Sequence, residues 1–238
     1  MADCYRRELL LLGSQHVDCR RRLRTSTLFA LLQNAAIRHT ESLGMGRDKT
    51  LDRGLLWVVG RQYVEIARMP VYDERIVHTS WPGDTLRVLF PRYDEITDEA
   101  GNVLLRASAV WTLMDAESRS VAFPEEYGVA IPGVKRGVEL PLLPKIAPIP
   151  TTESFTFTVP YSYVDINGHM NNTRYFDVVE DNLPCQSAPR AIQVEYLSEV
   201  RRGETLRVQW GREGERVFLS GETDRPCFRM SLQYDNKE

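Results

Sequence analysis

One short polar stretch in the second half of the chain has residue types and spacing that suit acid–base chemistry. Asp165, Asn167 and His169 occur at every second position, and Asn167-Gly168 is a turn signal among them. Residues at this spacing in an extended backbone point to the same side, so the three polar side chains would share one pocket wall. A histidine with a carboxylate and an amide nearby has the ingredients for positioned proton transfer near pH 7.

The same stretch also has a purely structural interpretation. An Asp-x-Asn-Gly sequence favours a turn in which the side chains of Asp165 and Asn167 bond the local backbone. A single histidine beside a helix start is more often structural or solvated than catalytic. Because spacing alone cannot show that the side chains converge, residue chemistry leaves both interpretations open.

The candidate site is followed by a predicted helix. Asn171–Thr173 supply capping residues, Tyr175–Val179 the helix body and Pro184 a stop. A helix N-terminus has unsatisfied backbone N–H groups and a partial positive charge. We therefore expect the start of this helix to help stabilise an oxyanion.

A weak internal repeat places a second copy of this arrangement near the N-terminus. When the segments 17–33 and 164–180 are aligned, Val17 matches Val164, Asp18 matches Asp165 and Phe29 matches Phe176. In the first copy, Thr25–Thr27 supply the capping candidates and Leu43-Gly44 the helix stop. The first loop has no asparagine or histidine at the matching positions. The two copies therefore differ in the residues that could do chemistry.

Runs of β-forming residues follow each predicted helix. Their predicted bounds are Leu55–Ile66, Arg75–Ser80, Leu86–Ile96, Val103–Met114, Ala191–Tyr196, Thr205–Gly211, Val217–Glu222 and Cys227–Tyr234. Five prolines in residues 131–150 favour an extended connector between the copies. The pattern predicts an α+β fold of two tandem units, each an antiparallel sheet around a central helix. We place the N-terminal unit at 1–130 and the C-terminal unit at 151–238.

Composition excludes several classes of function. The chain has 238 residues, 26% of them charged and 42% hydrophobic, and its net charge of −3 provides no strong attraction for nucleic acid. The longest apolar runs, such as Leu55–Val59, are far shorter than the roughly 18 residues of a membrane span. The cysteines (Cys4, Cys19, Cys185 and Cys227) lie far apart. This spacing is typical of free thiols in a cytoplasmic protein and does not support a metal site. No nucleotide or serine-hydrolase motif occurs, so we expect no cofactor.

Four stretches of the sequence resemble the acyl-acyl-carrier-protein thioesterases, which release fatty acids from acyl carrier protein (ACP). The most specific is Asp165–Asn172, which is similar to the family motif D-x-N-x-H-[VM]-N-N. The others are Gln33–His39, Leu55–Ile66 and Val194–Glu199. The resemblance implies a double hot-dog fold in which the N-terminal unit binds the acyl chain and the C-terminal unit carries the catalytic residues.

The resemblance also implies a catalytic set of Asp165, Asn167, His169 and Glu199, with no cofactor. Many plant members have a cysteine directly after that glutamate, where this chain has Val200, so a thiolate nucleophile is excluded there. Two routes stay open: a carboxylate acts as base for water, or Asp165 attacks directly to give a mixed anhydride. Asn167 and His169 would orient the groups and stabilise the oxyanion.

The function implied is hydrolysis of a fatty acyl-ACP thioester. Its alternatives are an acyl-coenzyme A thioesterase of the same fold and a non-catalytic lipid-binding protein. The partner expected is ACP carrying an acyl chain, without nucleic acid or membrane insertion, and homodimer formation is left open. Because no transit-type segment precedes the first strand, we expect a cytoplasmic protein of the bacterial type.

Two other features have competing interpretations. The basic runs Arg20–Arg22 with Arg24, and Arg201-Arg202, would either attract an acidic carrier or form solvated loops paired with nearby carboxylates. A set of apolar residues would either line an acyl tunnel or form plain core. That set is Phe29, Leu32, Ala36, Trp57 and Tyr63.

Overall fold

The fold is built from antiparallel strands and two α-helices. The structure is a computed structural model that describes residues 4–183 and 187–235. The strands are β1 Arg6–Leu11, β2 Leu55–Ile66, β3 Arg75–Pro82, β4 Leu89–Asp98, β5 Val103–Asp115, β6 Glu153–Thr158, β7 Ala191–Tyr196, β8 Thr205–Glu213, β9 Arg216–Glu222 and β10 Pro226–Gln233. The helices are α1 Thr25–Ser42 and α2 Arg174–Asn182. This content confirms the predicted α+β class.

The strands of both units join into one continuous sheet. Their order is β1-β3-β4-β5-β2-β7-β10-β9-β8-β6. The order of the first five strands is repeated in reverse by the last five, so each strand has a counterpart at the same distance from the centre. At that centre β2 pairs antiparallel with β7, and Tyr63 lies opposite Gln193. The duplication read from the sequence is therefore built as two equivalent halves of one sheet.

Both helices pack on the same face of this sheet and against each other. Phe29 of α1 and Phe176 of α2 are stacked, with ring centroids 3.9 Å apart. Both rings are fully buried in the main apolar core, together with Val64 and Val194 of the central strands. Burying a phenylalanine side chain contributes about 1.5–3 kcal/mol. The helix contact therefore helps to hold the two units together.

The start of α1 differs from the prediction, whereas its end is confirmed. The capping position is Arg24, which makes no side-chain capping bond, so the prediction of a Thr25–Thr27 cap is wrong. The Thr25 hydroxyl instead donates to the carboxylate of Glu180 in α2, and this contact between the helices replaces a local cap. At the other end, Gly44 has a φ of +74°, a left-handed conformation that glycine adopts without steric cost.

The connector, residues 131–150, crosses the face of the sheet opposite the helices. It has no regular secondary structure, as its prolines predict, and it buries Ile131, Leu140 and Ile146. Its backbone carbonyls accept hydrogen bonds from strand side chains of both units: Ser108 to Pro141 O (3.1 Å), Arg61 to Leu143 O (3.0 Å), Gln193 to Pro144 O (2.8 Å) and Arg216 to Ala147 O (3.1 Å). The connector therefore binds both halves of the sheet.

Small differences from the predicted elements have local causes. Strand β4 begins at Leu89 rather than Leu86, because these two residues exchange backbone hydrogen bonds in a tight turn. The predicted helix stop at Pro184 and the free thiol of Cys185 lie outside the described residues, whereas Cys4, Cys19 and Cys227 are free. Within the described ranges, no helix has the length and hydropathy needed to span a bilayer.

Candidate active site

The polar stretch that follows β6 folds as a tight turn, not as an extended strand. Val164 forms a β-bridge with Met170, and the Asp165 N–H donates to His169 O at 3.0 Å. Gly168 lies at the turn with a φ of +81°, where a side chain would be strained. The expected alternation along an extended backbone is therefore wrong. The turn brings Asp165 and His169 together at its base and leaves Asn167 exposed near its tip.

The imidazole of His169 lies between two carboxylates. Its Nδ1 is 4.0 Å from Asp165 Oδ1 and 3.3 Å from Met170 O. Its Nε2 is 3.7 Å from Glu199 Oε1. The residues from the two separated stretches therefore converge, although both carboxylate contacts are longer than a hydrogen bond. Catalytic contacts in an unliganded site commonly shorten when substrate binds.

The side chain of Asp165 is engaged by its own loop. Its Oδ1 accepts the backbone N–H of Asn167 at 2.9 Å, and its Oδ2 accepts the side-chain amide of Asn171 at 3.3 Å. This Asp-to-backbone bond is the one expected for the structural interpretation of the turn. Asp165 therefore holds the loop together while it also faces the histidine.

The start of α2 is less available to an oxyanion than the sequence suggested. Asn171 Oδ1 accepts the backbone N–H of Thr173 at 3.0 Å, and Asn171 O accepts that of Arg174 at 2.9 Å. The N–H of Phe176 donates to Thr173 O at 3.3 Å. Local acceptors already occupy these three donors, and the expectation that the start of this helix serves an oxyanion stays a prediction. The side-chain amide of Asn167, in contrast, makes no hydrogen bond among the described residues.

The carboxylate of Glu199 is held by an arginine that sequence reasoning missed. Arg119 Nη1 donates to Glu199 Oε1 at 2.6 Å, and Arg225 Nη2 donates to Glu199 O at 2.9 Å. Arg119 lies in the loop after β5, 80 positions away from Glu199 in the sequence. No motif links two positions so far apart. The one local signal was an arginine in a turn-forming segment, which is too common to single out.

An apolar cavity of about 300 Å³ opens beside this turn. It lies within the N-terminal unit, between α1 and strands β2, β4 and β5, and Asn167 and Ile166 of the turn complete its wall. Ile166 is 95% exposed, as expected for an apolar residue at an opening. The other apolar lining residues are Ala36, Ile37, Met45, Leu51, Leu55, Leu56, Trp57, Pro82, Phe90, Pro91, Trp111 and Ile131.

The predicted tunnel residues divide between the two interpretations. Ala36 and Trp57 line the cavity. Phe29 and Leu32 belong to the core between helices and sheet. Tyr63 lies on the opposite face of the sheet, where its hydroxyl donates to Glu65 at 2.9 Å. The tunnel interpretation is therefore right for two of the five residues.

One wall of the cavity is polar. Arg92 is buried, and it donates from Nε to Ser80 Oγ and from Nη2 to His39 Nδ1, each at 2.9 Å. Burial lowers the pKa of the Arg92 guanidinium to about 10. Packing an apolar chain end against a buried cation costs free energy. We therefore expect this wall to limit how far an acyl chain extends into the cavity.

The matching loop of the N-terminal unit has the same backbone and different side chains. The Asp18 N–H donates to Arg22 O at 2.8 Å, and Asp18 Oδ1 accepts the N–H of Arg20 at 2.8 Å. Arg22 Nη2 lies 3.0 Å from Asp18 Oδ2, so the position matching His169 forms an ion pair. Arg24 Nε donates to Val17 O at 2.8 Å. Two arginines of this basic run therefore have local partners.

The charge environment of Asp18 reflects these contacts. Partial burial acts to raise its pKa, but hydrogen bonds from Arg22 and the charge of Arg22 lower it below the ordinary value. In the part of the chain that the structure describes, no group of three or more His, Cys, Asp or Glu side chains is arranged to hold a metal ion.

Comparison with known proteins gives consistent matches over nearly the whole chain. The family models described as acyl-ACP thioesterase N-terminal domain and C-terminal domain match residues 3–128 and 147–224. An acyl-ACP thioesterase from Bacteroides thetaiotaomicron has a TM-score of 0.85 at 22% identity, covering 97% of this chain and 98% of the other. A 12:0-ACP thioesterase from Umbellularia californica has a TM-score of 0.82 at 20% identity, covering 100% and 99%. These structures establish the double hot-dog fold.

A curated relative matches as well. A chloroplastic acyl-[acyl-carrier-protein] hydrolase of Cuphea viscosissima is 24% identical, and the match covers 97% of this chain. The chain spans 59% of the length of that relative.

Proposed function

The chain belongs to the acyl-ACP thioesterase family, and on that premise we propose that it hydrolyses the thioester between a fatty acyl chain and acyl carrier protein. One observation carries the proposal. Asn167 lines the opening of the apolar cavity, and two residues later His169 faces two carboxylates. An acyl chain in the cavity would leave its thioester beside the imidazole.

The cavity favours a fatty acyl chain because its wall is mainly aliphatic and aromatic. Removing such a chain from water is favourable at roughly 25 cal/mol per Å² of buried apolar surface. In this proposal the N-terminal unit binds the acyl chain, and the C-terminal unit supplies Asp165, Asn167, His169 and Glu199. Acyl carrier protein is the proposed partner. A cytoplasmic location remains a prediction of the sequence, which leaves homodimer formation open.

The contacts of the two carboxylates favour the water-mediated route. Each oxygen of Asp165 accepts one hydrogen bond, from Asn167 at 2.9 Å and from Asn171 at 3.3 Å, which makes this carboxylate a weaker nucleophile for direct attack. Glu199 Oε2 makes no hydrogen bond among the described residues, and Oε1 lies 3.7 Å from His169 Nε2. Glu199 and His169 are therefore placed to activate a water molecule, and Asp165 to orient the imidazole.

The proposed reaction has two steps. The water oxygen attacks the thioester carbonyl carbon while the Glu199–His169 pair accepts one water proton. The side-chain amide of Asn167 donates to the oxyanion that forms on the carbonyl oxygen. The C–S bond then breaks, and the leaving thiolate takes the proton from the imidazole. The products are a free fatty acid and the carrier thiol.

The proposal is tested by thiol release from acyl-ACP substrates with chains from short to long. We expect turnover by the wild-type chain, and a higher kcat/KM on ACP than on coenzyme A for the same acyl group. Glu199→Gln, which keeps the side-chain size, is the matched control and is expected to keep only a small residual turnover. Faster turnover of the coenzyme A thioesters would overturn the choice of carrier. Acyl binding without any thiol release would identify a lipid-binding protein instead.

A further inference from the structure

Arg119 reaches the candidate active site from the other unit. It lies in the loop after β5 of the N-terminal unit, and its Nη1 donates to Glu199 Oε1 of the C-terminal unit at 2.6 Å. The same oxygen is the one that lies 3.7 Å from His169 Nε2. Arg119 therefore contacts the face of the carboxylate that is turned toward the imidazole.

The backbone at Arg119 is unusual for a residue with a side chain. Its φ is +57°, in the left-handed region that glycine adopts without cost and other residues rarely occupy. Such a conformation costs on the order of 1 kcal/mol and persists where the surrounding structure fixes it. A glycine would relieve this strain, so replacing Arg119 by glycine removes the guanidinium without distorting the turn.

The loop that carries Arg119 is tied down by Asp115. The N–H of Arg119 donates to Asp115 O at 3.0 Å, and Asp115 Oδ1 accepts both the N–H and the hydroxyl of Ser118 at 2.8 Å. These bonds fix the backbone from which the arginine side chain leaves. The guanidinium is therefore presented to Glu199 by a rigid turn rather than by a freely moving loop.

We infer that Arg119 is a positioning residue for Glu199. By holding Oε1 beside His169 Nε2, it leaves the second carboxylate oxygen for the attacking water. The inference rests on the proposed function, and it adds that the N-terminal unit does more than hold the acyl chain. A charge-assisted bond of this kind fixes both the rotamer and the distance of the base. Misplacing a reacting group by about 1 Å costs on the order of 10²-fold in rate.

The test compares Arg119→Gly with Arg119→Lys. Glycine removes the guanidinium and also relieves the backbone strain, so the fold is expected to be at least as stable. We expect kcat on acyl-ACP to fall by about 10²-fold with KM little changed, since Arg119 would act on the chemical step. Lysine keeps a cation and a donor, and we expect it to restore part of kcat.

Arg87→Gly is the matched control. Arg87 is an exposed arginine with a φ of +60°, in the turn between β3 and β4, and it does not line the cavity. Substituting it relieves the same kind of strain away from the site, so we expect wild-type turnover. Thermal unfolding of both glycine variants checks that the fold is kept.

A double variant shows whether Arg119 acts through Glu199. If it does, Arg119→Gly combined with Glu199→Gln turns over no more slowly than Glu199→Gln alone. Additive losses would overturn the inference, and so would a rise in KM at unchanged kcat, which would indicate carrier docking. Failure of the proposed function looks different: the wild-type chain itself would release no thiol.

Discussion

The turns 17–23 and 164–170 share a backbone but not a chemistry. Each is closed by a β-bridge between its ends, Val17 with Leu23 and Val164 with Met170. Each is also bridged to the strand region behind it, Arg22 to Val71 and His169 to Arg201. The two turns are therefore equivalent in three dimensions, which supports the alignment made from the sequence.

The equivalence identifies what each position contributes. Counting back two residues from Val71 and from Arg201 places Met69 where the other unit has Glu199. The first turn thus keeps the aspartate and lacks both the histidine and the glutamate. Since the backbone forms without them, the histidine and glutamate are not needed for folding. The aspartate is present in both turns and accepts a backbone N–H of its own turn in each. It therefore has a structural role besides any part in catalysis.

The largest expected effect comes from replacing the histidine of the second turn by arginine, the residue at the matching position of the first turn. In His169→Arg the new guanidinium can pair with Asp165, as Arg22 pairs with Asp18, so the turn should fold. Loss of the proton-transfer group should lower kcat by about 10³-fold or more. The measurement is thiol release from acyl-ACP, with circular dichroism as the check on folding. The reciprocal control, Arg22→His, should leave turnover unchanged. Near-normal rates in His169→Arg would remove the imidazole from the mechanism.

Removing the shared aspartate should lower turnover in the second turn, by less than the histidine change, and should lower only stability in the first turn. Asp165→Ala loses the acceptor for the N–H of Asn167 and the orienting contact with His169, so kcat should fall by about 10²-fold. Asp18→Ala loses the matching turn bond and should cost about 1 kcal/mol of stability with turnover kept. For both variants, urea unfolding measures stability and thiol release measures turnover. Equal losses of activity in the two variants would contradict the division of roles.

A third prediction concerns the cavity beside α1. Ala36→Leu adds methylene groups to the cavity wall, so the longest acyl chains should lose more kcat/KM than short ones. Because one methylene in an apolar pocket is worth roughly 1–3 kcal/mol, the ratio of long-chain to short-chain kcat/KM should fall by about tenfold. The short-chain rate of the same variant is the internal control. An unchanged ratio would show that the acyl chain lies elsewhere.

The smallest expected effect is on the pH dependence of stability. Its sign should differ between Glu180 of the C-terminal unit and Asp18 of the N-terminal unit. Burial raises the pKa of Glu180 in α2 above its ordinary value of 4.5, although the Thr25 hydroxyl opposes the shift. A carboxyl group with a raised folded-state pKa contributes stability below pH 4.5, which is lost as pH rises through the folded-state pKa. Glu180→Gln should remove this decline, so its Tm should rise relative to that of the wild type from pH 4.5 upward and level off above the folded-state pKa.

The lowered pKa of Asp18 has the opposite sign. Its contribution is present above the ordinary pKa of 3.8 and is lost as the pH falls. Asp18→Asn should therefore cost stability at neutral pH, with the difference from the wild type closing in acid. Parallel Tm curves for wild type and both variants would contradict both assignments.

Local pattern was enough to predict most of the secondary structure. The bounds of β2 and β7 agree with the prediction because both are dense in β-branched and aromatic residues. The cap of α1 was wrong because the Thr25 hydroxyl bonds Glu180, 155 positions away. Strand β6, an edge strand whose residues are all exposed or half-buried, is not among the strands predicted with bounds. Local propensity therefore failed where long-range contacts determine the structure.

The candidate site was predictable only where a motif carried it. Asp165, Asn167, His169 and Glu199 came from a family resemblance, and only the folded chain shows that Asp165 and Glu199 both face His169. Arg119 could not be predicted, because its contact with Glu199 depends on how two units pack. The hydrogen bond of the Thr173 N–H depends on the rotamer of Asn171, which residue types do not specify.

Because the connector joins both units in one chain, the two halves of the sheet can differ in sequence. In an assembly of two identical single-unit chains, every substitution would occur twice, once in each symmetric site. With both units on one chain, a change at position 22 leaves position 169 untouched. Arginine and histidine can then occupy matched places in the same molecule, the arginine paired with Asp18 and the histidine free for its proposed role in catalysis. Two identical chains must carry the same residues in both sites. A single chain with both units has no such symmetry, so each half can acquire different residues.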